Sequence, residues 1–284
     1  MKKLSILLAL CMIFVLAAGC AAASPTAAPG GPTEGATDAD TGTDTEAASE
    51  GKLINDDQLI MATNAAFPPF EFVNENNEFD GFDVHLAGAI ADILGVELVI
   101  EDMEFTAALA AIAAGQADVA IAAITIREDR LETMDFSTPY FETTIVAIVP
   151  EGSDITSPDD LKEARIAVQF GTTSDIFCAD YLPDATITRL NRAPDTVLEL
   201  NNGQVDAIVI DKAVADQFID DNPGLRILEE PLGSESYGIA VRKGNAELLG
   251  AINAALAELK GNGEYDRIYA MFFGGADEDT DTES

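Results

Sequence analysis

Gly115-Gln116-Ala117-Asp118-Val119-Ala120-Ile121-Ala122-Ala123-Ile124-Thr125-Ile126-Arg127-Glu128-Asp129-Arg130 is the stretch from which the rest of the chain can be read. A glycine stops a helix, a short polar turn follows, and Asp118 to Ala122 reads as a buried strand. The run then turns polar, with a hydroxyl at Thr125 and a fixed cation five residues on at Arg130. In α/β proteins the C-terminal end of a buried strand opens into the ligand crevice. A guanidinium fork there suits a carboxylate, because its planar N–H groups pair with both oxygens. The competing reading is a surface arginine paired with Glu128 or Asp129.

The stretch has an echo in Gly203-Gln204-Val205-Asp206-Ala207-Ile208-Val209. Both segments read as helix end, tight turn and buried strand. Thr125 and Arg130 follow the first, and Asp211 ends the second. Two lobes of like construction would therefore present opposite charges from their strand ends.

Between these units the pattern is βα throughout. Strands are expected at Leu59–Thr63, Val96–Ile100, Ile145–Val149, Arg165–Gln169, Thr186–Leu190, Val205–Ile210, Leu225–Leu228 and Tyr237–Val241. Helices are expected from Gly81 to Gly95 with Asp83 as a cap, and from Phe105 to Ala114. Further helices are a short one capped by Ser157, Thr173 through Tyr181, Pro194 to Asn202, and one running to Asn222. Two amphipathic helices, around Leu248–Leu259 and Tyr265–Phe272, finish the fold.

The ends of the chain read differently. Residues 1–19 carry a basic start, an apolar run from Leu4 to Leu16 and a small-residue close, as in a signal peptide. Leu16-Ala17-Ala18-Gly19-Cys20 resembles a bacterial lipobox, which implies cleavage before Cys20 and lipid on it. Residues 20–52 lack large apolar side chains and read as a disordered acidic linker. Residues 275–284 are an acidic tail of the same kind. Of three cysteines, only Cys178 would remain unmodified in the mature chain, so neither a disulfide nor a cysteine metal cluster is expected. The net charge of −36, from 51 acidic and 15 basic residues, argues against a nucleic acid partner and against a polyanionic substrate.

A cation, hydroxyls and an anion at strand ends suit a zwitterion. Arg130 would take an α-carboxylate with help from Thr125 and from Thr173 at a helix start. Asp211 would take an α-ammonium, and Phe67 and Phe105 would wall the side chain. His85, the only histidine, reads as a flank residue, Asp135 as a loop anchor, and Phe70 and Phe72 as core. Glu71 reads either as support beneath the ligand or as exposed, and Tyr140 as a possible cleft border.

Six collinear segments then carry a resemblance: Ala62-Thr63-Asn64-Ala65-Ala66-Phe67-Pro68-Pro69-Phe70-Glu71-Phe72, Gly81-Phe82-Asp83-Val84, Ile124-Thr125-Ile126 through Arg130, Asp135-Phe136-Ser137-Thr138-Pro139-Tyr140, Gly171-Thr172-Thr173 and Asn262-Gly263-Glu264-Tyr265. Together they resemble family 3 extracellular solute-binding proteins, the polar amino-acid receptors of bacterial ABC importers. The resemblance implies an α/β, two-lobe periplasmic-binding-protein-like fold (type II) with two crossover hinge strands. It places lobe 1 at 53–143 plus 237–274 and lobe 2 at 144–236. It implies ligand binding by Asn64, Phe67, Phe105, Ala123, Thr125, Arg130, Gln169, Thr173 and Asp211. It also implies delivery to a membrane permease by a lipid-anchored extracytoplasmic monomer, with no cofactor, no metal and no catalysis.

Two departures bear on the ligand. Position 64 is Asn where receptors for basic amino acids and for glutamine often carry Asp, and position 169 is Gln where some relatives carry Lys. Neither position holds a fixed charge, so a neutral or polar side chain is expected. The alternatives are a dehydratase-like enzyme on the same fold and a sensing module for a separate membrane receptor.

Overall fold

The computed structural model describes residues 53–274. The expected signal segment, the lipidated Cys20, the linker to residue 52 and the tail from residue 275 lie outside the described residues. β1 (Gln58–Thr63) enters the first sheet. A small antiparallel sheet of β2 (Ala66–Phe67), β3 (Glu71–Val73) and β4 (Phe79–Asp80) follows. Then come α1 (Phe82–Leu94), β5 (Glu97–Asp102), α2 (Phe105–Ala114) and β6 (Val119–Ala120). The short α3 (Glu128–Leu131) and β7 (Met134–Phe136) lead into the long β8 (Phe141–Pro150).

After β8 the second lobe repeats the construction. A 3-10 turn at Pro158–Glu163 precedes β9 (Arg165–Gln169), α4 (Thr173–Tyr181), β10 (Thr186–Leu190), α5 (Ala193–Asn201) and β11 (Ala207–Asp211). It closes with α6 (Lys212–Asp221), β12 (Leu225–Ile227) and β13 (Gly233–Tyr237). β14 (Ala240–Arg242), α7 (Ala246–Asn262) and α8 (Glu264–Phe273) return to the first lobe.

The first sheet has the order β5-β1-β6-β14-β7, and the second the order β10-β9-β11-β8-β12 with β13 on β8. β1 runs parallel to β5 and β6, and β9 runs parallel to β10 and β11. Both faces of each sheet are covered, which is why the strands read as continuous apolar runs. Along β1, Leu59 and Met61 face the core that includes α1 and α7, while Ile60 and Ala62 face α2. Along β8, Val146 and Ile148 face one core and Ile145, Ala147 and Val149 the other. Each large side chain fully buried in this way contributes about 1.5–3 kcal/mol.

β8 and β13 form the crossover. They pair antiparallel from Phe141↔Tyr237 to Ile145↔Gly233. An aromatic cluster fastens them to the first lobe: Phe70 meets Phe141 edge-on at 4.9 Å, and Phe141 stacks on Tyr237 at 5.8 Å.

Four local expectations are corrected. The strand expected at Asp118–Ala122 pairs only at Val119–Ala120, because its partners are β1 at Met61 and Ala62 and β14 at Ala240 and Val241. The chain then leaves the ladder, with Ala123 at φ 48°. The strand expected at Val205–Ile210 forms at Ala207–Asp211, and Asp206 turns back to hold Arg165. Asp83 does not cap α1; it is buried and accepts from the Ala123 amide at 2.8 Å and the Tyr140 hydroxyl at 2.9 Å. The strand expected at Tyr237–Val241 splits into β13 in the second sheet and β14 in the first, with Gly238 and Ile239 crossing between them. A Cβ on Gly238 would lie 2.8 Å from Cγ1 of Ile126, so only glycine lets the chain cross so close to the Thr125 loop.

Candidate functional site

Asn64, Phe67, Phe105, Ala123, Thr125, Arg130, Gln169, Thr173 and Asp211 all line one cavity between the lobes. Ala122, Thr172 and Glu71 complete the lining. Sequence reasoning left Glu71 undecided between support and exposure, and the structure buries it at 1% exposure. A charged residue set between Phe70 and Phe72 was the available signal. Tyr140 does not line this cavity; it is buried behind it against Asp83.

From the first lobe, the loop beyond β6 and the short α3 bring in the cation. Arg130 is 6% exposed. Its Nη1 donates to the Thr125 carbonyl at 2.9 Å, and its guanidinium lies 5.4 Å from the centre of the Phe105 ring. The surface-arginine alternative is excluded, because Arg127 is the side chain that pairs with Asp129, at 2.9 Å. Burial lowers the Arg130 pKa to about 10, so it is still a cation at neutral pH. A guanidinium carries five N–H groups. Two of those on Arg130 meet backbone carbonyls, which leaves donors for an anion.

From the second lobe, strand ends and a helix start complete the lining. Gln169 ends β9, Thr173 opens α4, and Asp211 ends β11. Asp211 is buried, and its Oδ1 has no hydrogen-bond partner. Burial first, and then the neighbouring Glu235, push the Asp211 carboxyl well above the usual range. The lobes meet through three hydrogen bonds around the cavity. Gln169 Nε2 donates to Asn64 Oδ1 at 2.8 Å, Thr173 Oγ1 to Thr125 Oγ1 at 2.9 Å, and Arg130 Nη2 to the Gly171 carbonyl at 3.3 Å. Gly171 sits at φ 77°, and a Cβ there would lie 2.4 Å from Thr106 Cγ2 across the cleft.

The remaining side chains fall where their chemistry suggested. His85 pairs with Asp80 away from the cavity. Asp135 holds its loop by accepting from Lys243 Nζ at 2.7 Å and the Gly244 amide at 2.8 Å. Cys178 is a buried free thiol, its pKa pushed up to about 12 by burial.

A closed cleft between two α/β lobes, lined by a buried arginine and a buried aspartic acid, is the construction of a small-molecule binding protein. Residues 59–275 match the family described as bacterial extracellular solute-binding proteins, family 3, and the chain belongs to that family. A probable histidine-binding protein of Neisseria gonorrhoeae is 36% identical over 233 residues, covering 80% of this chain and 85% of the relative. Further relatives are named as binding proteins for arginine, cystine and glutamine. Among solved structures, a mutant of the arginine-binding protein of T. maritima is 43% identical with TM-score 0.74, covering 76% of this chain and 95% of that one. An ancestral arginine-binding protein bound to glutamine gives the same identity and TM-score, covering 76% and 98%. An ancestral amino-acid-binding protein described as a precursor of cyclohexadienyl dehydratase is 32% identical with TM-score 0.71, covering 76% and 95%.

Proposed function

We propose that this chain is the amino-acid receptor of an ABC importer, which closes its two lobes over one free amino acid and delivers it to a membrane permease. The observation that carries this reading is a buried cation and a buried carboxyl, contributed by different lobes to one cavity. The α-carboxylate pairs with the free N–H groups of Arg130, with the hydroxyls of Thr125 and Thr173 and the first turn of α4 beside it. The α-ammonium pairs with Asp211, whose arrival at full charge is driven by that contact. Phe67 and Phe105 wall the side chain, with Asn64, Gln169 and Glu71 as its polar surroundings.

The side chain that fits these surroundings is polar. Asn64 and Gln169 bear no charge and already bond each other. Burial first, and then Asp83, push the Glu71 carboxyl well above the usual range. The histidine, arginine, cystine and glutamine named for the relatives are polar too. The receptor works as a monomer without metal or cofactor, exported by residues 1–19 and tethered outside the membrane by lipid on Cys20 and the linker to residue 52. Its first lobe is 53–143 plus 237–274 and its second 144–236.

A thermal-shift screen of the twenty amino acids tests the reading. A ligand at a hundred times its dissociation constant stabilises by about 2.7 kcal/mol. One or a few polar amino acids should raise the midpoint, and a flat response to all twenty would overturn the assignment. The likeness to a dehydratase precursor favours one second reading, in which Glu71, which lines the cavity, acts as a general acid. Recovery of the bound compound unchanged after long incubation supports the receptor, while turnover supports the enzyme.

A further inference from the structure

The turn between β9 and α4 brings Gln169, Thr172 and Thr173 to the cavity, and it is held by a residue outside that lining. Asp175 lies in the first turn of α4 and is 5% exposed. Its Oδ2 accepts from the Gly171 amide at 3.0 Å. Its Oδ1 accepts from Nε of Arg189, on β10, at 2.8 Å. Gly171, at φ 77°, turns its carbonyl across the cleft, where Arg130 Nη2 donates to it at 3.3 Å. A chain of contacts therefore runs from β10 through Asp175 and Gly171 to the buried cation of the other lobe.

Other bonds tie the turn without reaching Gly171. The Phe170 amide donates to the Leu190 carbonyl at 2.8 Å, and the Thr172 hydroxyl to the Gln169 carbonyl at 2.8 Å. Glycine visits backbone conformations that other residues avoid, so an unheld Gly171 would spend time with its carbonyl turned elsewhere. A turn already set before the lobes meet loses less conformational entropy on closure. The acid also stands two residues after Thr173, in the helix turn beside the ligand carboxylate. An unpaired negative charge there would repel that carboxylate, and Arg189 offsets it.

We propose that Asp175 is a positioning residue for ligand capture: it fixes Gly171 so that the carbonyl meets Arg130 on closure, while Arg189 offsets its charge. This rests on the amino-acid-receptor reading. The alternative role is that of an acid in a first helix turn, which stabilises α4 through the helix dipole and leaves the ligand unaffected. The two roles differ in which atom matters. Positioning needs an oxygen for the Gly171 amide, whereas the dipole needs the charge.

Isothermal titration calorimetry with L-glutamine, L-arginine and the strongest hit of the thermal-shift screen tests this. Asp175→Ala leaves the Gly171 amide without its acceptor, so affinity should fall about tenfold or more. Asp175→Asn keeps an oxygen for that amide and should stay within about threefold of the unsubstituted protein. Unchanged affinity in Asp175→Ala, or equal losses in the two variants, would overturn the proposal. Arg189→Gln changes a side chain remote from the cavity and carries the test if Asp175→Ala does not fold. It should weaken binding by about threefold, and molar sodium chloride should erase the loss. Added to Asp175→Asn, where no charge remains to offset, Arg189→Gln should cost nothing further. No loss in Arg189→Gln alone, or the same loss beside Asp175→Asn, would also overturn the proposal. If the unsubstituted protein binds and the variants fail in these ways, this inference falls and the receptor reading stands; if no amino acid binds, both fall.

Discussion

Arg130 is held by two backbone carbonyls and an aromatic face, none of which neutralises its charge. A ligand carboxylate would do so, and removing the arginine would leave that carboxylate buried without a partner. Such a loss costs about 2–5 kcal/mol, or roughly 30-fold to several thousand-fold in affinity. Arg130→Ala should therefore abolish calorimetrically detectable binding while circular dichroism remains native, and near-normal affinity would remove Arg130 from the site. Asp211→Asn keeps the shape and loses the charge, so affinity should fall at least tenfold in the same measurement. Arg130 and Asp211 could both be picked out in the sequence because each follows a recognisable buried strand. Glu71 was left between two readings, since Pro68, Pro69 and three phenylalanines surround it without a clear period, and only folding decides which way its carboxyl points.

At the scale of elements, closure depends on a few short connections. Gly171 joins β9 to α4, and its carbonyl receives Arg130 from the other lobe. Gly171→Ala adds a Cβ against Thr106 and strains a positive φ. Affinity should drop about tenfold or more, and small-angle scattering with ligand should report a more open molecule; a variant that closes and binds normally would show the contact to be dispensable. The helices and most strands were legible from apolar periodicity with glycine and proline stops. The failures lie where one segment serves two sheets. Tyr237–Val241 is apolar without a break, yet it divides at Gly238 because Tyr237 pairs with β8 and Ala240 with β6 and β7. Likewise Asp83 looked like a cap, and its true partners, Ala123 and Tyr140, are distant in sequence.

For the whole molecule, charge dominates. The excess of 51 acidic over 15 basic residues makes surface repulsion oppose the folded state, and salt screens it. The melting midpoint should rise between low salt and molar sodium chloride; a fall would show that specific ion pairs outweigh repulsion. The buried acids act in the same direction with pH. Burial raises Asp83 from 3.8 to about 6, against the hydrogen bonds from Ala123 and Tyr140. Its folded pKa exceeds its unfolded one, so the native state binds the extra proton. Stability from this group is greatest below about pH 4 and is lost as pH rises through 6. Urea denaturation in high salt, where surface repulsion is screened, should show stability falling between pH 4 and 6, with a shallower slope in Asp83→Asn. An equal slope would locate the titration elsewhere. The sequence by itself determined the alternation of strands and helices, the echo of two lobes, the net acidic charge and six of the side chains that come to line the cavity, Phe67, Phe105, Thr125, Arg130, Thr173 and Asp211. Those follow from local periodicity and from side-chain chemistry, while Asn64, Ala123 and Gln169 came from the family resemblance. Only the tertiary structure decided where the chain crosses between sheets, that Glu71 faces the cavity, and that Asp83 stands behind it. Each of these depends on contacts between segments far apart in the chain, and the charge state of a buried acid depends on all of its neighbours at once.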